Sequence, residues 1–204
     1  NAIQTVLDAI KHLEYRGYDS AGIAAVDSVG QTFMQKEVGK IAALEKKLKD
    51  FPETHLAIAH TRWATHGEPS VENAHPHFDC RKEIFLVHNC IIENHDKIKS
   101  QLIKIGHKFC SQTDTETVVH LIEELKKKSN LTFEEAVRQT LSLIRGTYAF
   151  AILNSREPQK LIVARNSIPL LIGVGEGEYW VASDASAVLP YTKQVVYLND
   201  CEFA

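Results

Sequence analysis

Four histidines lie close together in the stretch AHTRWATHGEPSVENAHPH, which begins at Ala59: His60, His66, His75 and His77. Imidazole nitrogens at such spacing could bind zinc. Arg62 lies between the candidate ligands, however, and a guanidinium beside a divalent cation is costly unless a carboxylate separates them. Two alternatives to a metal site remain, namely histidines satisfied by local hydrogen bonds in a long loop and a binding pocket for a small ligand.

The neighbours of these histidines favour the pocket. Arg62, Trp63, Thr65, His66 and Gly67 follow a predicted buried strand. They combine a bidentate carboxylate binder, a hydroxyl, an imidazole and a flexible backbone point. This combination suits a small ligand that carries a carboxylate.

Two further polar clusters could contribute to such a pocket. Asp114 lies in a polar loop that leads into a predicted helix, where it could cap the helix or face a cationic amine. The local sequence favours the cap. Asn89 ends a predicted strand with an amide that can donate two hydrogen bonds, although asparagine at a strand end is usually a turn residue.

Composition limits the function classes. The 204 residues are 44% hydrophobic and 24% charged, which predicts one globular domain over residues 1–204. A net charge of -3 without a basic cluster argues against nucleic acid, and the apolar runs are too short to span a membrane. No secretory signal opens the chain, and four separated cysteines without a C-x-x-C pair favour reduced thiols in the cytoplasm.

Hydrophobic periodicity predicts helices and strands in separate groups. The helices are predicted over residues 2–14, 41–48, 98–105, 116–127 and 133–144, the last with a capping box at Thr132 and Glu135. The strands are predicted over residues 22–26, 31–36, 56–59, 84–88, 148–153, 160–164, 170–174, 179–182 and 195–198. This order favours an α+β fold with antiparallel sheets covered by helices.

Four blocks of the sequence resemble one family in order along the chain. They are EYRGYDSAG at 14–22, HTRWATHGEP at 60–69, NAHPH at 73–77 and TDTE at 113–116. Together they resemble the glutaminase domain of the glutamine–fructose-6-phosphate aminotransferase family over essentially the whole chain. The resemblance implies a four-layer αββα sandwich of the N-terminal-nucleophile type. It also implies hydrolysis of L-glutamine to glutamate and transfer of ammonia to a sugar-phosphate isomerase domain, which these 204 residues do not include.

The resemblance also implies roles for individual residues. Arg62 should grip the α-carboxylate of glutamine, with Thr65 and His66 shaping that end of the pocket. Asp114 should pair with the α-ammonium, which reverses the local preference for a helix cap. Trp63 should lie in a mobile loop over the ligand, although a packed aromatic anchor is an equal alternative.

Two more residues are implied at the reacting carbonyl, and one beside the pocket. Asn89 should donate its side-chain N–H to the oxyanion, and the backbone N–H of Cys90 should be the second donor. Arg16 is expected to brace the pocket. The half-reaction needs no metal and no organic cofactor, and the parent enzyme is expected to be a homo-oligomer that binds fructose 6-phosphate on its isomerase domain.

The sequence departs from the family pattern in two places. The family's nucleophile is an N-terminal cysteine whose α-amine serves as the base, whereas this sequence begins at Asn1, at the family's first helix. About a dozen residues, including that cysteine and the first strand, are therefore expected to precede it, and the chain by itself is expected to be inactive. Cys90 also replaces the glycine of the family's His-Asn-Gly motif, and a positive φ there would cost roughly 1–2 kcal/mol.

Two other functions stay open from the sequence. The first is a catalytically dead glutamine-binding or regulatory module, which the absent nucleophile and Cys90 both suggest. The second is another amidotransferase of the same superfamily, of the purine-pathway or asparagine-forming type. The block Arg62 to Gly67 argues against the second.

Overall fold

Two antiparallel sheets lie face to face, and helices cover the outer face of each. The computed structural model describes residues 1–48, 51–63 and 67–204. Its helices are α1 (Ala2–Lys11), α2 (Ile41–Lys47), α3 (His95–Lys104), α4 (Thr115–Ser129) and α5 (Phe133–Leu143). Its strands are β1 (Ser20–Val26), β2 (Thr32–Val38), β3 (Leu56–Arg62), β4 (His77–Phe78), β5 (Ile84–Ile92), β6 (Gly146–Asn154), β7 (Leu161–Asn166), β8 (Leu171–Val174), β9 (Tyr179–Ala182) and β10 (Val195–Tyr197).

The strands of the described residues form three antiparallel sheets, of which the first two lie face to face. The first sheet has the order β2-β1-β3, the second β4-β5-β6-β7, and the third β10-β8-β9. Within the described residues β3 pairs only with β1, and β9 only with β8. Both strands are therefore edges of their sheets.

Strand β1 shows how the layers are built, because it is buried along its whole length. Side chains of a strand alternate between its two faces. Ile23 and Ala25 pack with α1 and α2 on one side of the first sheet. Ala24 and Val26 point the other way and pack against Phe85 of the second sheet. A strand that is apolar on both faces is thus an inner layer, not a surface strand.

The second sheet repeats this arrangement. Its outer face carries Leu86 and Ile152, which pack with Val119 of α4 and Phe133 of α5. The order of layers is therefore helix, sheet, sheet, helix, and the predicted αββα sandwich is confirmed.

Most of the predicted elements are present, and the capping box at Thr132 is confirmed. Glu135 N donates to Thr132 Oγ1 at 3.3 Å, and Thr132 N donates to Glu135 Oε2 at 2.8 Å. The prediction of one helix over 2–14 was too long, because α1 ends at Lys11 and Glu14–Arg16 forms a 3-10 turn. That turn leads into Gly17, where a Cβ would lie 2.7 Å from the carbonyl oxygen of Thr61.

Two differences concern the second sheet. Strand β5 does not stop at His88 but continues to Ile92, because residues 89–92 stay paired with β6 as far as Gly146. Asn89 and Cys90 thus lie inside a strand, not in a turn after it. The short strand β4 was not predicted, and it pairs with β5 through Leu86 and Phe85. None of the described helices has both the length and the apolar character needed to cross a membrane.

Candidate active site

Arg62 is the last residue of β3, and its side chain is withdrawn from solvent. It is 5% exposed, and its guanidinium donates to the carbonyl oxygens of Gly67 at 3.2 Å and Glu68 at 3.5 Å. Burial lowers the pKa of Arg62, and the nearby charges of Asp19 and Asp114 oppose that shift. Because guanidinium stays protonated, the result is a fixed, partly desolvated cation at the end of a strand.

Asp114 directly precedes α4 and is also 5% exposed. Its Oδ2 accepts a 2.7 Å hydrogen bond from the backbone N–H of Ile92, and it lies 3.8 Å from Nδ1 of His88. Its side chain makes no capping hydrogen bond to α4, so the local preference for a helix cap was wrong. Thr113 takes that role, because its Oγ1 accepts from Glu116 N at 3.4 Å.

The two residues place opposite charges near each other in a buried environment. The carboxylate of Asp114 is one of two that act on the charge of Arg62. In low dielectric such charges interact more strongly with a ligand than they would in water. Chemically, the arrangement can accept a ligand that carries both a carboxylate and an ammonium group.

Asn89 and Cys90 lie side by side in β5, opposite Ala149 and Tyr148 of β6. Cys90 has a φ of 99°, a region that residues with a Cβ rarely adopt. Its Sγ lies 2.7 Å from Oγ1 of Thr147. Cys90 therefore adopts the positive φ whose energetic cost was considered from the sequence.

A cavity of about 1290 Å³ lies beside these residues, between the two facing sheets. The edge strands β3 and β9 contribute to its wall, together with Asn89, Asn1 before α1, Thr5 of α1, and apolar residues of β6. Arg62 and Asp114 do not line it. Asn89 therefore borders the cavity, whereas the buried charged residues Arg62 and Asp114 do not.

Three of the four histidines of the opening stretch, His60, His75 and His77, contact one another and neighbouring residues. The rings of His60 and His75 stack at 4.4 Å, and His75 and His77 meet edge to face at 4.7 Å. His75 Nδ1 accepts from His88 N at 3.2 Å, and Nε2 of His77 lies 3.0 Å from Thr113 Oγ1. Burial holds the pKa of His75 and of His77 well below the usual range. These contacts favour hydrogen-bonded, neutral imidazoles in this part of the chain over zinc ligands.

The remaining predicted site residues are Trp63, Thr65, His66 and Arg16. Trp63 is 59% exposed and its ring lies 5.6 Å from that of Tyr18, so it is not a packed anchor. Thr65 and His66 lie outside the described residues. Arg16 belongs to the 3-10 turn, but its side chain is not described, so its bracing role stays a prediction.

Lys36 is a buried residue that the sequence did not single out. It is 8% exposed on β2 and donates to the carbonyl oxygens of Glu72 at 3.0 Å and Pro76 at 3.4 Å. Burial lowers its pKa to about 8. It thereby supports the backbone of the histidine-rich stretch beside the charged pair. A single lysine on a half-exposed strand gives no sequence signal of this role.

The fold is that of an amidotransferase sandwich of the N-terminal-nucleophile type, as its similarity to solved structures shows. One similar solved structure is glutamine phosphoribosylpyrophosphate amidotransferase from B. subtilis, with 30% identity and a TM-score of 0.77 over 97% of this chain and 42% of that one. A second, described as the allosteric regulatory enzyme of purine biosynthesis, has 30% identity and a TM-score of 0.78 over 96% of this chain and 42% of that one.

Sequence comparison identifies the family. Residues 60–190 match the sequence model described as a glutamine amidotransferase domain, and the chain belongs to that family. Its relatives include the isomerizing glutamine–fructose-6-phosphate aminotransferases of Pyrococcus horikoshii, 49% identical over 99% of this chain, and Thermococcus kodakarensis, 50% identical over all of it. The chain spans 34% of the length of each of these two curated relatives.

Proposed function

We propose that this chain is the glutaminase part of an isomerizing glutamine–fructose-6-phosphate aminotransferase, and that in the parent polypeptide this part hydrolyses L-glutamine to glutamate and ammonia. The observation that carries the proposal is the buried pair of opposite charges, Arg62 and Asp114, in a member of the glutamine amidotransferase family. Glutamine has a carboxylate and an ammonium on one carbon, so it needs one cation and one anion held at a fixed separation.

Each end of the substrate is assigned a partner. Arg62 binds the α-carboxylate with its fork of N–H donors. Asp114 accepts from the α-ammonium, because its carboxylate has acceptor sites beyond the one that the Ile92 N–H uses. Thr65 and His66 shape the carboxylate end, and Trp63 covers the ligand and limits access of water. Arg16 braces the pocket from the turn before β1.

The chemical step needs a thiol and a base, and we propose that both come from a cysteine preceding Asn1 in the parent polypeptide. The cavity between the sheets supports this, because the edge strands β3 and β9 and the residues around Asn1 all border it. An extended segment joined to Asn1 could pair with these edges and bring its first residue towards Asn89.

The reaction then proceeds in two steps. The thiolate attacks the side-chain carbonyl carbon of glutamine, and the oxyanion accepts from the Asn89 amide and the Cys90 backbone N–H. The intermediate collapses, the C–N bond breaks, and the nitrogen leaves as ammonia after taking the proton held by the α-amine. Water, deprotonated by the same amine, attacks the thioester, and glutamate and the thiol are released. Ammonia passes to the isomerase domain of the same polypeptide, which converts fructose 6-phosphate to glucosamine 6-phosphate in a cytoplasmic homo-oligomer.

Binding of glutamine and two truncated analogues tests the assignment of Arg62 and Asp114. The analogues are 4-carbamoylbutanoate, which lacks the amine, and 4-aminobutanamide, which lacks the α-carboxylate. By calorimetry on the parent polypeptide, Arg62→Gln should weaken binding of glutamine and 4-carbamoylbutanoate by about 10- to 100-fold and leave 4-aminobutanamide unchanged. Asp114→Asn should weaken binding of glutamine and 4-aminobutanamide by a similar factor and leave 4-carbamoylbutanoate unchanged.

The matched controls are Lys82→Gln and Asp96→Asn, which remove one charge each from exposed positions. Both should bind all three ligands as the unmodified protein does. Equal weakening of all three ligands by Arg62→Gln would mean that Arg62 only supports the fold, and the assignment would be withdrawn. Glutamine binding without hydrolysis by the parent polypeptide would instead favour a glutamine-binding regulatory module, for which the strained Cys90 is the supporting observation.

A further inference from the structure

A second group of chemically active side chains lies on the outer side of the second sheet, away from Arg62 and Asn89. Cys80 follows β4, His107 follows α3, and His120 and Glu123 lie on α4. One ligand-type atom from each of the four lies within 4.8 Å of every other. We propose that Cys80, His107, His120 and Glu123 bind one zinc ion.

The separations between these atoms fit a tetrahedron of zinc ligands. Zinc bonds of about 2.0–2.1 Å to nitrogen or oxygen and about 2.3 Å to sulfur give tetrahedral edges of about 3.3 Å between light atoms and about 3.6 Å to sulfur. The two Nδ1 atoms of His107 and His120 are 3.2 Å apart, and they lie 3.4 Å and 3.5 Å from Glu123 Oε2. Cys80 Sγ lies 3.6 Å and 3.5 Å from the same two nitrogens. Five edges therefore agree with the expected lengths.

The far nitrogens of both histidines face carboxylates. His107 Nε2 lies 3.3 Å from Glu124 Oε2, and His120 Nε2 lies 3.6 Å from Glu116 Oε1. A zinc-binding histidine usually donates its other N–H to such a group, which fixes the tautomer and makes the metal-facing nitrogen a better ligand. The proposed ligand oxygen of Glu123 is itself held by the backbone N–H of Cys80 at 3.1 Å.

Hydrogen bonds alone cannot satisfy all the close contacts of the two Nδ1 atoms at the same time. Each Nδ1 faces the other Nδ1, the thiol and a carboxylate oxygen, and a proton on one nitrogen serves only one of these neighbours at a time. A divalent cation at the centre would bond all four atoms at once. The outward Nε2–H of His107 would then donate to Glu124, and that of His120 would face the carboxylate of Glu116.

The ligand set selects the metal. One sulfur, two imidazoles and one carboxylate in a tetrahedron suit zinc, whereas magnesium and calcium prefer six or more oxygens. Cys80 is exposed, so an ion can reach the site from solvent. Four protein ligands leave no open position, which is typical of a structural site. It would fasten the ends of β4 and α3 to α4, the helix that begins beside Asp114.

Zinc content and affinity of the full-length protein, purified without a polyhistidine tag, test the proposal. After loading with Zn²⁺ and gel filtration, one zinc per chain is expected, with affinity measured by competition with a chelator. The double variant Cys80→Ser/His107→Gln should bind Zn²⁺ more than about 100-fold more weakly, since it loses two direct ligands. The matched control Cys110→Ser/His12→Gln removes the same residue types from exposed positions outside the cluster and should bind as the parent does.

Two further readouts separate metal binding from damage to the fold. Co²⁺ in place of Zn²⁺ should give the absorption of a tetrahedral thiolate complex, with the sulfur charge-transfer band lost in Cys80→Ser. In EDTA the double variant and the control should unfold at similar temperatures, and Zn²⁺ should raise Tm only for the parent and the control. Zinc binding equal in the double variant and the control, or no stoichiometric zinc in the parent, would overturn the proposal. Neither result bears on glutamine binding by Arg62 and Asp114.

Discussion

The backbone N–H of His88 donates to Nδ1 of His75 at 3.2 Å, inside the sandwich. An imidazole nitrogen that accepts a hydrogen bond carries no proton, so His75 is neutral with its proton on Nε2. Burial, and after it the charges of His60 and His77, holds the pKa of His75 well below its ordinary value. The folded state therefore requires the neutral ring, whereas the unfolded chain accepts a proton near pH 6.5.

Acid should destabilise the protein through this histidine. Below pH 6.5 the unfolded state binds a proton that the folded state refuses, so the free energy of unfolding falls by about 1.4 kcal/mol per pH unit until the folded His75 titrates. The change His75→Asn keeps an acceptor near the position of Nδ1 and removes the titration. Urea unfolding between pH 5 and pH 7.5 should show a shallower dependence for this variant. Parallel curves for the two proteins would show that His75 does not titrate on unfolding.

Cys90 should be a source of strain. Its φ of 99° costs a residue with a Cβ about 1–2 kcal/mol, part of which glycine gives back in chain entropy. The change Cys90→Gly should therefore raise the free energy of unfolding by about 1 kcal/mol, as measured by urea titration.

Cys90→Ala is the control for this prediction, because it keeps the Cβ and removes only the thiol that contacts Thr147. It should not stabilise the protein. The same glycine variant reports on catalysis, since relief of a distorted oxyanion hole should raise glutamine turnover by the parent polypeptide. Unchanged turnover would mean that the hole forms in spite of the strain.

The fold class, antiparallel sheets covered by helices, could be predicted because it depends on patterns local to the chain, whereas the four-layer order came from the resemblance. The apolar run of β1 and the capping box at Thr132 are both visible in a few consecutive residues. The bounds of β5 could not be predicted, since residues 89–92 are strand only because β6 pairs with them from far along the sequence. A polar Asn89 followed by Cys90 suggests a turn when pairing is not known.

The candidate sites, too, could be predicted from the sequence only in part. Arg62 and Asp114 were predicted as site residues by residue type and by resemblance, and their roles stay predictions. The helix cap at Asp114 was wrong, because its carboxylate accepts instead from Ile92 N, which is distant in sequence. Cys80 and His107 gave no signal at all. Their separation from His120 along the chain hides a cluster that only the packing of β4, α3 and α4 brings together.

Asn89 should matter for the rate of glutamine hydrolysis and little for binding. In the proposed mechanism its amide stabilises charge that exists only in the transition state, so Asn89→Ala in the parent polypeptide should lower kcat by about 10²–10³ with a small change in KM. Asn199→Ala, at an exposed site, is the control and should leave both constants unchanged. A rise in KM with unchanged kcat would assign Asn89 to substrate binding and not to the oxyanion.

Lys36 should make the protein gain stability at alkaline pH. Its pKa is about 8 in the folded state because burial disfavours the ammonium, whereas the unfolded side chain has the ordinary value of 10.5. Between these pH values the unfolded state binds more protons, so the contribution of Lys36 to the free energy of unfolding rises with pH, by up to about 3 kcal/mol.

Lys36→Met removes this rise but leaves the carbonyls of Glu72 and Pro76 without their donor. The difference in unfolding free energy between parent and variant, measured at pH 7.5 and pH 10, cancels the titration of tyrosines and cysteines common to both proteins. A difference that grows in favour of the parent as the pH rises is expected, and a constant difference would mean that Lys36 stays charged in the folded protein throughout this range.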